Sequence, residues 1–141
     1  MIVLDTDIVT LLSYGKTDKL NGRIAAVEEA EELAVTIITR MEILQGRYAS
    51  IRTAAKLEEL RVAMERFQAS EELLNSFVRL DVNDAAREHF GSMLNGKKTK
   101  KMRRGDMLIA SIALAHQALL VTRNVKDYEG VPGLRIENWA D

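Results

Sequence analysis

The sequence predicts an α/β domain: a three-layer α/β/α arrangement around a central, mainly parallel, twisted sheet. Two patterns lead there. Short apolar or β-branched runs recur along the chain, and segments with helical apolar spacing separate them. Strands that alternate with helices pair in parallel, because each crossover helix covers the sheet while it returns the chain to its starting edge. Size is the third observation. The chain has 141 residues, 47% of them hydrophobic, enough to fill one sizeable core, so a single domain over residues 1–141 is expected.

Residues 1–4 form an apolar run closed by Asp5 and read as the first buried strand. Helical spacing follows over residues 7–12 and 20–29. Residues 33–38, rich in Val, Ile and Thr, read as the second strand. Helices are predicted over 41–48 and 54–67. In the latter, Leu57, Leu60, Met64 and Phe67 make one stripe, read as core packing, with a partner-binding face as the other reading. Further along, residues 77–80 suggest a strand, 84–94 a helix, 106–116 an apolar helix, 119–122 a strand and 134–136 another, beyond the only proline, Pro132. His116 then falls at the C-terminal end of its helix, where the dipole favours it. Residues 95–105, a basic run bracketed by glycines, read as a mobile segment.

Composition removes several kinds of chemistry. With no cysteine and only His89 and His116 as imidazoles, disulfides and thiolate metal sites are excluded and a zinc site is starved of ligands. Any metal must be held mainly by oxygen. Nothing approaches the roughly 18 apolar residues of a membrane span, and no basic stretch precedes a long apolar run, so a cytoplasmic protein without a membrane partner is expected. The net charge of -1 argues against binding nucleic acid by overall charge. Charge is nevertheless segregated, since Lys97, Lys98, Lys100, Lys101, Arg103 and Arg104 crowd one segment, while Glu28, Glu29, Glu31 and Glu32 crowd another.

Open parallel sheets gather ligands beyond the carboxyl ends of their strands, where loops and helix N-termini converge. Acidic and polar residues fall at those ends here. Asp5 follows the first strand, with Asp7 two residues on; Glu42 lies in the first turns of the helix after the second; Asn124 and Asp127 follow the strand over 119–122; and Asp106 opens its helix. Each has a simpler reading. Asp5 and Asp106 suit helix N-caps, Asp7 a first-turn acid, Glu42 a solvated helix residue and Asp127 an exposed turn. Their coincidence favours a shared role, because Asp106 precedes an almost wholly apolar helix and Glu42 interrupts an apolar stretch. Carboxylates bordering buried surface repel one another unless a cation neutralises them. An all-oxygen set selects a hard ion such as Mg2+ or Mn2+, which lowers the pKa of bound water and stabilises a leaving oxygen. The basic run just before Asp106 would draw the phosphates of a polyanion toward an acidic pocket that otherwise repels them, or else it is a solvated loop.

These residues, in this order, resemble the PIN domain and within it the VapC-type toxins of bacterial toxin-antitoxin pairs. The segments are Leu4-Asp-Thr-Asp-Ile, Ile38-Thr-Arg-Met-Glu-Ile-Leu-Gln-Gly, Asp106-Met-Leu-Ile-Ala-Ser-Ile-Ala-Leu-Ala and Leu120-Val-Thr-Arg-Asn-Val-Lys-Asp-Tyr-Glu-Gly-Val-Pro-Gly-Leu-Arg-Ile-Glu-Asn-Trp. The last is the most specific, and together they span nearly the whole chain. The resemblance implies a PIN-like fold and an endoribonuclease using Mg2+ or Mn2+ to leave 5′-phosphate and 3′-hydroxyl ends. It also implies a homodimer, a VapB-like antitoxin that blocks the acidic groove, and a structured RNA substrate. The implied metal ligands are Asp5, Glu42 and Asp106. Thr6 and Thr122 match small hydroxyl residues that position carboxylates or water. The fourth acidic position of many members is Asn124 here, so a second ion would be held more weakly, with help from Asp127.

A catalytically inactive PIN scaffold, acting as an RNA- or protein-binding module, is the competing reading, and retention of three acids argues against it. A phosphoacceptor switch of the receiver type would need a strand-end aspartate after a central strand, which Thr39 to Glu42 does not offer. Nucleophilic serine or cysteine chemistry lacks both Cys and a Gly-flanked Ser with a His partner.

Overall fold

The computed structural model describes residues 1–15 and 17–141. Five short strands and seven helices follow in the order β1 (Ile2–Leu4), α1 (Thr6–Tyr14), α2 (Asp18–Ala25), β2 (Leu33–Thr36), α3 (Ile37–Thr53), α4 (Leu57–Asn75), β3 (Val78–Leu80), α5 (Asp84–Asn95), α6 (Arg104–Ala115), β4 (Leu119–Val121), α7 (Val125–Tyr128) and β5 (Arg135–Glu137). The strands make one sheet in the order β3-β2-β1-β4-β5, every pair parallel. β1 is central and pairs Ile2 with Leu33 on one side and with Leu119 on the other.

Period-two alternation divides the sheet residues between two cores. Val3, Ala34 and Leu120 face a cluster with Ala86 and Met93 of α5, Met107 to Ala113 of α6 and Tyr128 of α7. Ile2, Leu4, Val35 and Val121 face the other, with Ile8 and Val9 of α1, Leu20 of α2 and Leu74 of α4. Helices therefore cover both faces, as the alternating pattern predicts.

Four expectations need correction. The second strand stops at Thr36 and not at residue 38: the Thr36 hydroxyl accepts from the Thr39 N–H at 3.1 Å and caps α3, so Ile37 and Ile38 turn helical. Capping outweighs the β-preference of the Ile pair. Helix α6 opens at Arg104, which puts Asp106 in its first turn and rules out an N-cap role. The stripe on α4 is not core. Leu57 is 87% exposed and Leu60 and Met64 are also exposed, because α4 buries a face made of Ala63, Ser70 and Leu74. Small residues there let α4 sit close on α3, where Arg47 Nε donates to Ser70 Oγ at 3.0 Å.

The fourth correction concerns the segment expected to be mobile. Residues 97–101 form turns, with the Lys100 N–H on the Gly96 carbonyl and the Met102 N–H on the Thr99 carbonyl, both at 2.9 Å. Thr99 is only 3% exposed, and its hydroxyl donates to the Met93 carbonyl near the end of α5 at 2.7 Å. The cations of this loop are exposed, but its backbone is pinned.

Candidate acidic active site

The carboxyl ends of β1, β2 and β4 lie side by side in the middle of the sheet, and the predicted acids collect there. Asp5 ends β1 and is 5% exposed. It caps α1 through the Thr6 N–H at 2.8 Å, as the simpler reading expects, and its other oxygen accepts the Thr122 hydroxyl at 2.7 Å. Burial, reinforced by the charge of Asp7, pushes the Asp5 carboxyl up to about 6, against the pull of its hydrogen bonds.

Glu42 projects from the second turn of α3. Its Oε1 accepts the Thr6 hydroxyl at 3.2 Å, and that hydroxyl also pairs with Thr39 Oγ1 at 2.9 Å. A Cβ placed on Gly105 would lie 3.6 Å from the same Oε1, which puts Glu42 over the first turn of α6. Partial burial raises its carboxyl, and Asp5 and Asp106 add to the rise, while Thr6 and Arg103 oppose it. Asp106 faces inward from α6, where its Oδ1 accepts the Tyr128 hydroxyl at 3.3 Å. Its carboxyl too is raised, first by burial, with Arg103 and Tyr128 pulling it down and Asp127 pushing up.

The remaining residues divide. Thr6 and Thr122 sit on Glu42 and Asp5. Asn124 is at the rim: its N–H donates to Thr122 Oγ1 at 3.0 Å and its side-chain amide to Asp7 Oδ2 at 3.1 Å. Asp7 also accepts the Arg123 N–H at 3.0 Å, while its other oxygen is buried without a partner. Asp127 is exposed and borders a cavity of about 270 Å³ together with Asp106, Lys98, Lys101 and Arg103. The loop carrying Lys97, Lys98, Lys100, Lys101, Arg103 and Arg104 thus runs into the acidic site at one end.

Two contributors were not assigned a role from sequence. Tyr128 is fully buried, and burial plus the Asp5 and Asp106 carboxylates push its hydroxyl well up, so it stays protonated and donates. The signal available was one aromatic closing the Asn-Val-Lys-Asp-Tyr segment. Thr39 is the other, legible only as a second threonine three residues after a cap.

All the donors are oxygens, and three carboxylates with raised pKa values lie near enough for Asp5 and Asp106 to act on Glu42, a set that suits a hard divalent cation in charge and ligand type. Among the described residues, no three Asp, Glu, His or Cys side chains stand close enough to hold an ion as placed.

The profile of the PIN domain family matches residues 2–131. Ribonuclease VapC1 of Haemophilus influenzae strain R2866 is 24% identical over 140 residues, covering 98% of this chain and 97% of that protein. The tRNA(fMet)-specific endonuclease VapC of Salmonella typhimurium is 24% identical over 144 residues, with 98% and 97% covered. Among solved structures, that of VapBC-1 from nontypeable Haemophilus influenzae superimposes with a TM-score of 0.83 at 24% identity, over the full length of both chains.

Proposed function

The chain belongs to the PIN domain family, and from that membership and its acidic pocket we propose that it is a metal-dependent endoribonuclease acting as the toxin of a type II toxin-antitoxin pair. The observation that carries the reading is the convergence of Asp5, Glu42 and Asp106, from positions far apart in the chain, at the carboxyl end of the sheet, where burial raises all three pKa values. Asp5, Glu42 and Asp106 would hold Mg2+, with Mn2+ able to substitute. A bound ion there would generate a strong nucleophile from water and stabilise charge on the phosphate and the leaving oxygen.

The chain's own residues prepare that chemistry. Thr122 and the Thr6 N–H fix both oxygens of Asp5, Tyr128 aims Asp106, and Thr6 and Thr39 hold Glu42. Such outer contacts orient ligands and keep them ionised. In the reaction water attacks phosphorus, the P–O3′ bond breaks, and the 3′-oxygen takes a proton, leaving 5′-phosphate and 3′-hydroxyl ends. Asn124 and Asp127 flank the pocket from the loop after β4, where they support substrate or a weaker second ion.

A VapB-like antitoxin is the proposed protein partner, supported by the solved VapBC complex with the same fold. A groove of about 270 Å³ between α1, α3 and α4 runs from Glu42 past Arg47 to Leu73, and Tyr14, Tyr48, Leu57, Leu60 and Met64 lie exposed. A homodimer is proposed on the resemblance. The Salmonella relative's name points to transfer RNA as the kind of structured substrate to try first. No helix among the described residues is long and apolar enough to cross a membrane, in keeping with the proposed cytoplasmic location.

The test is cleavage of total cellular RNA by purified, antitoxin-free protein with Mg2+ or Mn2+, with EDTA, and with Asp5→Asn alongside, the new ends read by sequencing. Discrete metal-dependent cuts bearing 5′-phosphates, lost in the variant, are expected. A folded preparation that cuts nothing with either metal would overturn the enzyme and favour the binding module.

A further inference from the structure

The loop between α5 and α6 is built more tightly than a solvated basic loop needs to be. Thr99 plugs it into the protein by its hydroxyl bond to the Met93 carbonyl, and a side chain at Gly96 would overlap that hydroxyl. On its other side, a Cβ at Gly130 would meet both Cβ and the carbonyl oxygen of Lys98 at 3.2 Å, so the turn after α7 packs directly on the loop backbone. Lys98, Lys101 and Arg103 border the cavity that Asp106 and Asp127 share; Lys97 does not, and lines with Lys98, His89 and Ser92 a second cavity behind the loop. Arg103 is near enough to pull down the carboxyls of Glu42 and Asp106.

We propose that this loop is a fixed shelf for a phosphate of the bound RNA other than the one cut, with Lys98, Lys101 and Arg103 supplying the charge. Thr99 and Gly130 are its positioning residues. The inference rests on the ribonuclease reading and assigns that site a neighbouring subsite. A cationic wall facing an acidic one is suited to a polyanion that must cross the acids: one phosphodiester is neutralised at the shelf while the next reaches the carboxylates. Ordering the lysines before binding also avoids freezing a mobile loop when RNA arrives.

The test is steady-state cleavage of one oligoribonucleotide carrying a mapped cut site, over a range of salt, by wild type, Lys98→Ala/Lys101→Ala, Lys97→Ala, Thr99→Val and Thr99→Ser. The double variant should raise KM about tenfold at little cost in kcat and flatten the slope of log KM against log salt by roughly 0.7, the share of one single-strand phosphate. Lys97→Ala, outside the cavity that Asp106 and Asp127 share, should shift KM and slope less than the double variant. Thr99→Val, which keeps the shape and loses the hydrogen bond, should move KM and slope in the same direction, and Thr99→Ser should restore them. Unchanged KM and slope in the double variant, with wild type active, would overturn the shelf and leave the loop to a protein partner. A wild type that does not cut would take down the ribonuclease reading and the shelf with it. Because both lysines are exposed, misfolding does not obscure the double variant.

Discussion

Two sets of carboxylates in this molecule live under opposite rules. On α4, Glu58 and Glu65 flank Arg61 in open solvent; each forms an ion pair with it, and Arg61 pulls the Glu58 carboxyl below its ordinary value. At the sheet's carboxyl end, Asp5, Glu42 and Asp106 make no ion pair among the described residues, and burial pushes each of them up. Their contacts are hydroxyls and N–H groups, which aim a carboxylate without cancelling its charge. The surface set therefore does little for stability, whereas the buried set carries like charge that Arg103 offsets only in part and that a cation or protons would relieve.

The sharpest way to break that contrast is to delete one pocket charge. Asp106→Asn should lower RNA cleavage by about 10³-fold or more, since a metal-held charge is worth several kcal/mol and each 1.4 kcal/mol is tenfold. Circular dichroism should remain native, and a variant cutting at the native rate would show that the pocket is not the active site.

The next effect is on stability. Asp5 titrates near 6 in the folded protein against an ordinary 3.8, so between those values the folded state binds more protons than the unfolded chain. Stability of the metal-free protein therefore rises as pH falls from about 6 toward 4 and is lost as pH rises through 6, by up to about 3 kcal/mol from this group. The raised values of Asp7, Glu42 and Asp106 act with the same sign. Melting curves at pH 7.5 and 5 should show the trend, Asp5→Asn should flatten it, and Mg2+ should raise Tm more at pH 7.5 than at 5.

Smaller still, Thr122→Val removes the hydroxyl that holds Asp5 and should cost about 10- to 100-fold in activity or metal affinity. At the bottom of the scale, Glu58→Gln on α4 should leave both cleavage and Tm unchanged within error. A measurable loss there would erase the distinction between the two sets.

How much of this was legible before folding follows from where each residue gets its information. Apolar runs closed by polar residues mark β1 and β4, and ligand sites cluster at strand ends, so the convergence of Asp5, Glu42 and Asp106 at one end of the sheet could be expected from position. The end of β2 was misplaced because Val, Ile and Thr suit both a strand and the start of a capped helix; the deciding contact, Thr36 to the Thr39 N–H, is one hydrogen bond. The α4 stripe misled for a different reason. Periodicity shows that a helix has an apolar face, but Ala63 and Ser70 let another face pack closer, and that choice belongs to the pair of helices. Thr99 and Tyr128 were invisible as contributors because their partners, Met93 and Asp106, are chosen by tertiary packing.

The hydrogen bond between Thr122 and Asp5 spans 117 positions of chain. At about 5–20 residues per second, roughly 6 to 23 s of synthesis separate the two residues. A nascent chain that has emerged as far as α6 already carries Asp5, Glu42 and Asp106, yet its β1 is an exposed edge and Tyr128 is still unmade. The carboxylates are thus made well before the two hydroxyls, of Thr122 and Tyr128, that hold Asp5 and Asp106 in place.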